Sequence, residues 1–174
     1  MHDSRKITII GGMRAALNDV IIRRAKKDDL PVLLEFEQGI IRDERPFDPT
    51  IAPDPINYYP LDELIHSPDA CVLVAEVNDQ LVASGMARRW KSRAYLDHKE
   101  HGFLGFMYTR PSHRGQGINK LLVEELVQWC HSQQLFEVRL TVYSGNQSAV
   151  RAYEKAGFTS HIMEMRLPRN ESEK

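Results

Sequence analysis

The sequence predicts an α/β protein with a mixed, mostly antiparallel central sheet flanked by helices, and three observations carry that prediction. Two β-rich apolar runs, Cys71 to Val77 and Leu81 to Trp90, flank the polar pair Asn78-Asp79, which is the pattern of an antiparallel hairpin. Behind the segment Gly115-Gln116-Gly117, apolar residues recur at helical spacing: Ile118, Leu121, Leu122, Leu126 and Trp129. Toward both ends of the chain, strand-like and helix-like runs alternate, as in a layered α/β domain. With 174 residues, 42% of them hydrophobic, the chain can fill one core and is short for two.

Taken in order, Lys6 to Ile10 reads as a short strand ending at Gly11-Gly12, within an N-terminal extension over 1–19. A domain over 20–168 follows, then a polar tail over 169–174. The domain opens with VIIRRA (20–25), a strand, and the Asp28-Asp29 cap of a helix whose apolar positions are Leu30, Leu33, Leu34 and Ile40. Between Asp43 and Pro60 five prolines (Pro46, Pro49, Pro53, Pro55, Pro60) and the pair Tyr58-Tyr59 exclude regular structure, and so long a loop in a small domain points to function. Leu61 to His66 is a short helix stopped by Ser67-Pro68. After the hairpin come a strand over Gly102 to Thr109, the helix from Ile118 to about Cys130, a strand over Phe136 to Val142, a helix over Asn146 to Ala156, and a closing strand over His161 to Leu167. The order is β-α-α-β-β-β-α-β-α-β.

Charge narrows the partners. Lys and Arg number 23 against 24 Asp and Glu, so no general attraction to nucleic acid or an anionic membrane is expected. Cys71 and Cys130 lie in apolar surroundings without metal-binding spacing, which suits reduced core thiols in the cytoplasm. His98-Lys99-Glu100-His101 lacks a third ligand, and no metal is expected there. The apolar ITII near the N-terminus is too short for a signal core or a membrane span.

The turn HRGQGINKLL (113–122) leads from a strand end into a helix N-terminus, where unpaired N–H groups and the positive end of the helix dipole attract an anion. Glycines at 115 and 117 allow close backbone approach and positive φ. Neither GxxxxGK[ST] nor a complete GxGxxG is present. The segment Arg114-Gly115-Gln116-Gly117-Ile118-Asn119, after GFLGFMYTRP and before FEVRLTVY and NQSAVRAYEKAGF, resembles the signature of the GNAT superfamily, the Gcn5-related N-acetyltransferases. Asn119 stands where that signature has Gly or Ala. The resemblance spans about residues 20 to 167 at the level of fold and is most specific from Gly102 to Phe158.

It implies an acetyl-CoA-dependent N-acetyltransferase that moves an acetyl group to a primary amine of a small molecule, amino acid derivative or peptide. It further implies cofactor contacts at Met107, Tyr108, Thr109, Arg114, Gly115, Gln116, Gly117, Ile118, Asn119 and Lys120, and at Asn146 and Ala149. Tyr153 is the candidate catalytic acid for the leaving thiolate, its phenol value of about 10 lying above a thiol's 8.5 or so. No residue stands out as general base; Glu35, Asp43, Glu100 and His101 are the candidates. Glu35, Asp43, Glu44, Asp48, Asp54, Tyr58 and Tyr59 mark the acceptor side, and the run Arg88-Arg89-Trp90-Lys91-Ser92-Arg93 hints at an acceptor that also carries a carboxylate. The alternatives are a non-catalytic acyl-CoA sensor or regulatory module, and a protein lysine or N-terminal acetyltransferase; a homodimer is left open.

Overall fold

The computed structural model describes residues 19–168. Strand β1 (Ile21–Arg24) leads through a 3-10 turn at Lys27–Asp29 into α1 (Leu30–Glu44), and α2 (Leu61–His66) follows the proline-rich loop. Next come β2 (Ala70–Val77), β3 (Gln80–Lys91), β4 (Glu100–Thr109), α3 (Ile118–Ser132), β5 (Val138–Leu140) and α4 (Gln147–Lys155). The strands form one five-stranded sheet in chain order; every pair is antiparallel except β4 and β5, which are parallel. That parallel pair needs a crossover, and α3 supplies it.

Period-two alternation divides the core in two. Cys71, Leu73 and Ala75 of β2 point to one face, where Ile118, Leu122, Leu126 and Cys130 of α3 cover them. Ala70, Val72 and Val74 point to the other, beneath Leu33, Phe36 and Ile40 of α1 and Leu61 and Leu64 of α2. The β2–β3 turn takes positive φ at both Asn78 (48°) and Asp79 (59°), the conformation a two-residue hairpin requires. Gly39 gives the α1 face its close fit, because a Cβ there would collide with the Tyr108 ring of β4.

A bulge interrupts β4. Met86 faces Gly105 while Ser84 faces Tyr108, so one extra residue enters β4, and Phe106 takes φ +55°. The extra residue switches the alternation, so that Leu104 before it faces α3 while Phe106 and Tyr108 after it face α1 and Met107 faces the α3 side.

Several expectations need correction or limits. The strand expected over Phe136 to Val142 shrinks to Val138–Leu140, where pairing with β4 stops. The closing strand over His161 to Leu167 does not form: the segment has no regular structure, with Met163, Met165 and Leu167 79%, 86% and 96% exposed. Its alternation is genuine, but the segment pairs with no strand of the sheet, and Arg166 is drawn to Asp48 at 3.0 Å. On α1, Leu34 is 39% exposed while Phe36 and Ile41 are buried. The expected strand over Lys6 to Ile10 and the 169–174 tail lie outside the described residues.

Candidate active site

The crevice begins where β4 and β5 part. Their last pair is Leu104 with Leu140, yet β4 runs on to Thr109. Among the described residues, the β5-side edge of β4 from Gly105 to Thr109 therefore has no strand partner, while the opposite edge stays paired to β3. Both following helices start at this end, at the carboxyl ends of the parallel strands, where open α/β sheets form binding crevices.

Beyond Thr109 the chain turns through Pro111–His113 into the loop that opens α3. Gly115 has φ +75° and Gly117, the N-cap of α3, φ +85°, so both glycines adopt the left-handed conformation for which they suit the position. Among the described residues, the N–H groups from Gly115 to Lys120 have no hydrogen-bond partner; the first to be engaged is that of Leu121, which donates to the Gly117 carbonyl at 3.3 Å. Six free donors at a helix N-terminus fit a pyrophosphate. Asn119, half-buried in the first turn of α3, contributes its N–H like any residue. The Ile118 side chain is buried in the core, and Lys120 pairs loosely with Glu124 at 3.7 Å.

Arg114 has a different engagement from the one its sequence position suggests. Its Nε donates to the Thr109 carbonyl at 2.9 Å and its Nη2 to Asp43 at 2.6 Å, with the guanidinium 5.8 Å from the Tyr108 ring centre. It ties the end of β4 to the end of α1. Gln116 donates to the Ser112 carbonyl at 3.1 Å. Asn146 caps α4: its Oδ1 accepts from the Ala149 N–H at 3.2 Å and from the Ser148 hydroxyl at 3.0 Å.

Tyr153 lies half-buried on α4, its ring edge-on to Phe158 at 6.1 Å. Burial, with Tyr59 and Glu44 nearby, pushes its phenol up to about 12. Glu44, the last residue of α1, is surrounded by phenols: Tyr58, Tyr59, Tyr143 and Tyr153 all feel its charge. Burial raises the Glu44 carboxyl above its ordinary value, the Tyr58 hydroxyl partly offsets this, and Asp43 adds to it. The neighbouring Tyr143 hydroxyl donates to Asp48 at 3.2 Å.

One turn-pair earlier on the same helix face is Glu37, fully buried. Its Oε1 accepts from the N–H groups of Tyr58 and Tyr59, both at 2.8 Å, and its Oε2 from the Asn57 amide at 2.6 Å. The Tyr59 hydroxyl in turn accepts from the Phe106 N–H in the β4 bulge at 3.2 Å, and a Cβ on Gly105 would stand 3.2 Å from that hydroxyl. Glu37 thus fixes the end of the proline-rich loop and, through Tyr59, the bulge. Its role was missed in the sequence, although a signal exists: Leu33, Phe36, Glu37, Ile40 and Glu44 fall at helical spacing, so two carboxylates interrupt an apolar face.

The four candidate bases fall elsewhere or are engaged. Asp43 is held by Arg114, and Glu35, mostly exposed, lies 3.6 Å from Arg110. Glu100 joins Asp69 on Arg89, at the start of β4 and so at the far end of that strand from Thr109. His101 is buried beside it, with Nδ1 2.8 Å from the Ser92 hydroxyl, and burial lowers its value, reinforced by Arg139 and His98. Among the described residues, no group of three His, Cys, Asp or Glu side chains is arranged to hold a metal. No helix in them is long and apolar enough to cross a membrane.

Comparison with known proteins shows the family of the chain. The model of the Acetyltransferase (GNAT) family matches residues 38–158, and the chain belongs to that family. Streptothricin acetyltransferase of Escherichia coli is 28% identical over 92 residues, 52% of this chain and 48% of that protein, so the chain spans about half the length of this curated relative. Among solved structures, a mutant of the BH1408 protein from Bacillus halodurans superposes with TM-score 0.77 at 17% identity, over 86% of this chain and 99% of that one. A predicted acetyltransferase from Clostridium acetobutylicum, solved with acetyl-CoA, does so with TM-score 0.65 at 20% identity, over 86% and 96% of the two chains. At these identities the likeness is one of fold.

Proposed function

We propose that the chain is an acetyl-CoA-dependent N-acetyltransferase that acts on a primary amine of a small molecule, an amino acid derivative or a peptide. The observation that carries this reading is the free edge of β4, which runs from the last β5 pair to the six unpartnered N–H groups at the start of α3. A thioester arm pairs with such an edge as an added strand would, while the α3 end receives the pyrophosphate. Acetyl-CoA supplies the activated acetyl group.

The residues of this chain manage the protons. The new acetyl C–N bond forms as the C–S bond breaks; the amine gives up one proton and the sulfur gains one. Glu44 takes the first: its value, raised by burial, makes it a stronger base than an exposed glutamate. Tyr153 gives the second, its high value keeping the phenol protonated at neutral pH. Met107 and Thr109 offer backbone groups to the arm, and the bulge beside them shapes where the carbonyl oxygen rests. Small amine acceptors find support in the proline-rich loop, which folds over the acceptor side under the hold of Glu37. Two free, buried cysteines, both with thiols pushed up to about 11, suit a reducing cytoplasm.

Calorimetric titration with acetyl-CoA, followed by thiol release against a panel of amines, tests the reading. Binding with turnover is expected, and Tyr153→Phe should lower kcat about a hundredfold with little change in acetyl-CoA affinity. Absence of acetyl-CoA binding would refute the assignment.

A further inference from the structure

Arg88 sits in an unusual position for an arginine. It lies in β3 opposite Phe103 of β4, half-buried, with its guanidinium 4.1 Å from the Trp90 ring centre and 5.8 Å from that of Phe103. Its Nε is buried without a hydrogen-bond partner, and among the described residues no carboxylate or carbonyl accepts from its other nitrogens. The acids at this end of the sheet, Asp69 and Glu100, are both taken by Arg89, whose side chain leaves the opposite face of β3. Stacking uses the flat faces of a guanidinium and leaves its in-plane donors to be satisfied by something else. A buried donor without an acceptor is costly, and the described residues supply none here.

The position also has a direction. Arg88 and Met86 share a face of β3, and Met86 pairs with Gly105, against which Tyr59 packs. Arg88 therefore stands one pleat, about 7 Å, from the bulge on the same face of the sheet as Tyr59.

We propose that Arg88 anchors an oxyanion, a carboxylate or a phosphate, carried by the acceptor amine. This rests on the transferase reading. The planar fork of Arg88 meets the oxyanion bidentately, Trp90 and Phe103 fix its orientation, and the amine then points along the strand toward the bulge and Glu44.

The test compares matched acceptors: an amino acid, its neutral amide, and the corresponding amino alcohol phosphate. Wild-type protein should favour one of the two anionic acceptors over the amide by at least tenfold in kcat/KM, and Arg88→Met should collapse that ratio toward one. Which anion wins names its source. Equal turnover of amide and anions by the wild type, or a ratio that survives Arg88→Met, overturns the proposal. If no amine is turned over, the transferase reading fails by itself, and a separate measurement decides the subsite. Trp90 and Trp129 are the two tryptophans, so Trp129→Phe leaves Trp90 as the reporter. Titrated with N-acetylglycine and with inorganic phosphate, that protein should change its emission, and Arg88→Met in the same background should not. No change with either probe overturns the proposal.

Discussion

A single carboxylate, Glu44, sets how the proposed chemistry depends on pH. It acts only when deprotonated, and burial raises its value, so kcat/KM should climb with pH through a limb lying above the range where exposed glutamates titrate. Replacement by Gln should lower kcat by at least tenfold and erase that limb, leaving only the rise that follows the acceptor's own amine. A pH–rate profile of both proteins checks this. A limb that persists in Glu44→Gln would assign the base elsewhere. The phenols that enclose Glu44 come from the loop, from the β5–α4 connection and from α4, so its neighbourhood is assembled by parts of the chain far apart in sequence.

At the level of elements, the proline-rich loop shows how a segment without regular structure is held in place. Glu37 of α1 accepts three hydrogen bonds from its end, and Tyr59 carries that hold to the β4 bulge. Glu37→Ala should destabilise the fold by about 3 kcal/mol, since three donors lose a charged acceptor. It should also lower kcat far more than it changes the affinity for acetyl-CoA, because the α3 cradle shares none of these bonds. Glu37→Gln retains an acceptor for the Tyr58 and Tyr59 N–H groups and should recover most of both losses. Denaturant unfolding and the split between kcat and KM read the two effects separately. Element existence was legible because each helix and the hairpin announce themselves locally, by apolar spacing, by Asn78-Asp79 and by the glycines of the cradle. The bulge left no such mark: it arises from how β4 registers against β3.

For the molecule as a whole, Arg23 joins three elements. From β1 it donates to Asp29 at the start of α1, at 2.8 and 3.0 Å, and to Glu76 of β2 at 2.9 Å. The Arg23 hydrogen bonds hold Asp29 below its ordinary value, against the opposing effect of burial. The folded state therefore binds a proton there less readily than the unfolded chain. The stabilisation is complete above the usual aspartate range and fades as the pH falls through the lowered value of Asp29. Asp29→Asn should cost about 2 kcal/mol near neutral pH, and the gap to wild type should close in acid; urea unfolding across a pH series checks it. A gap that widens in acid would contradict the sign.

By itself, the sequence determined the class of sheet, the hairpin, the strand-to-cradle-to-helix order and the positions that need glycine, because each depends on neighbours close in the chain. Tertiary structure decided the rest. Alternation at His161 to Leu167 marked a strand that does not form, and Arg114 proved to bind Asp43 and Thr109 from the far end of α1 and the end of β4. Of the glutamates on α1, Glu35 faces solvent while Glu37 and Glu44 turn inward, a matter of how the helix is rotated against the sheet. Among the described residues Arg88 has no acceptor, and the acids at its end of the sheet pair with Arg89 on the opposite face of β3. Such outcomes follow from which distant groups meet in space, and spacing along one chain cannot express that.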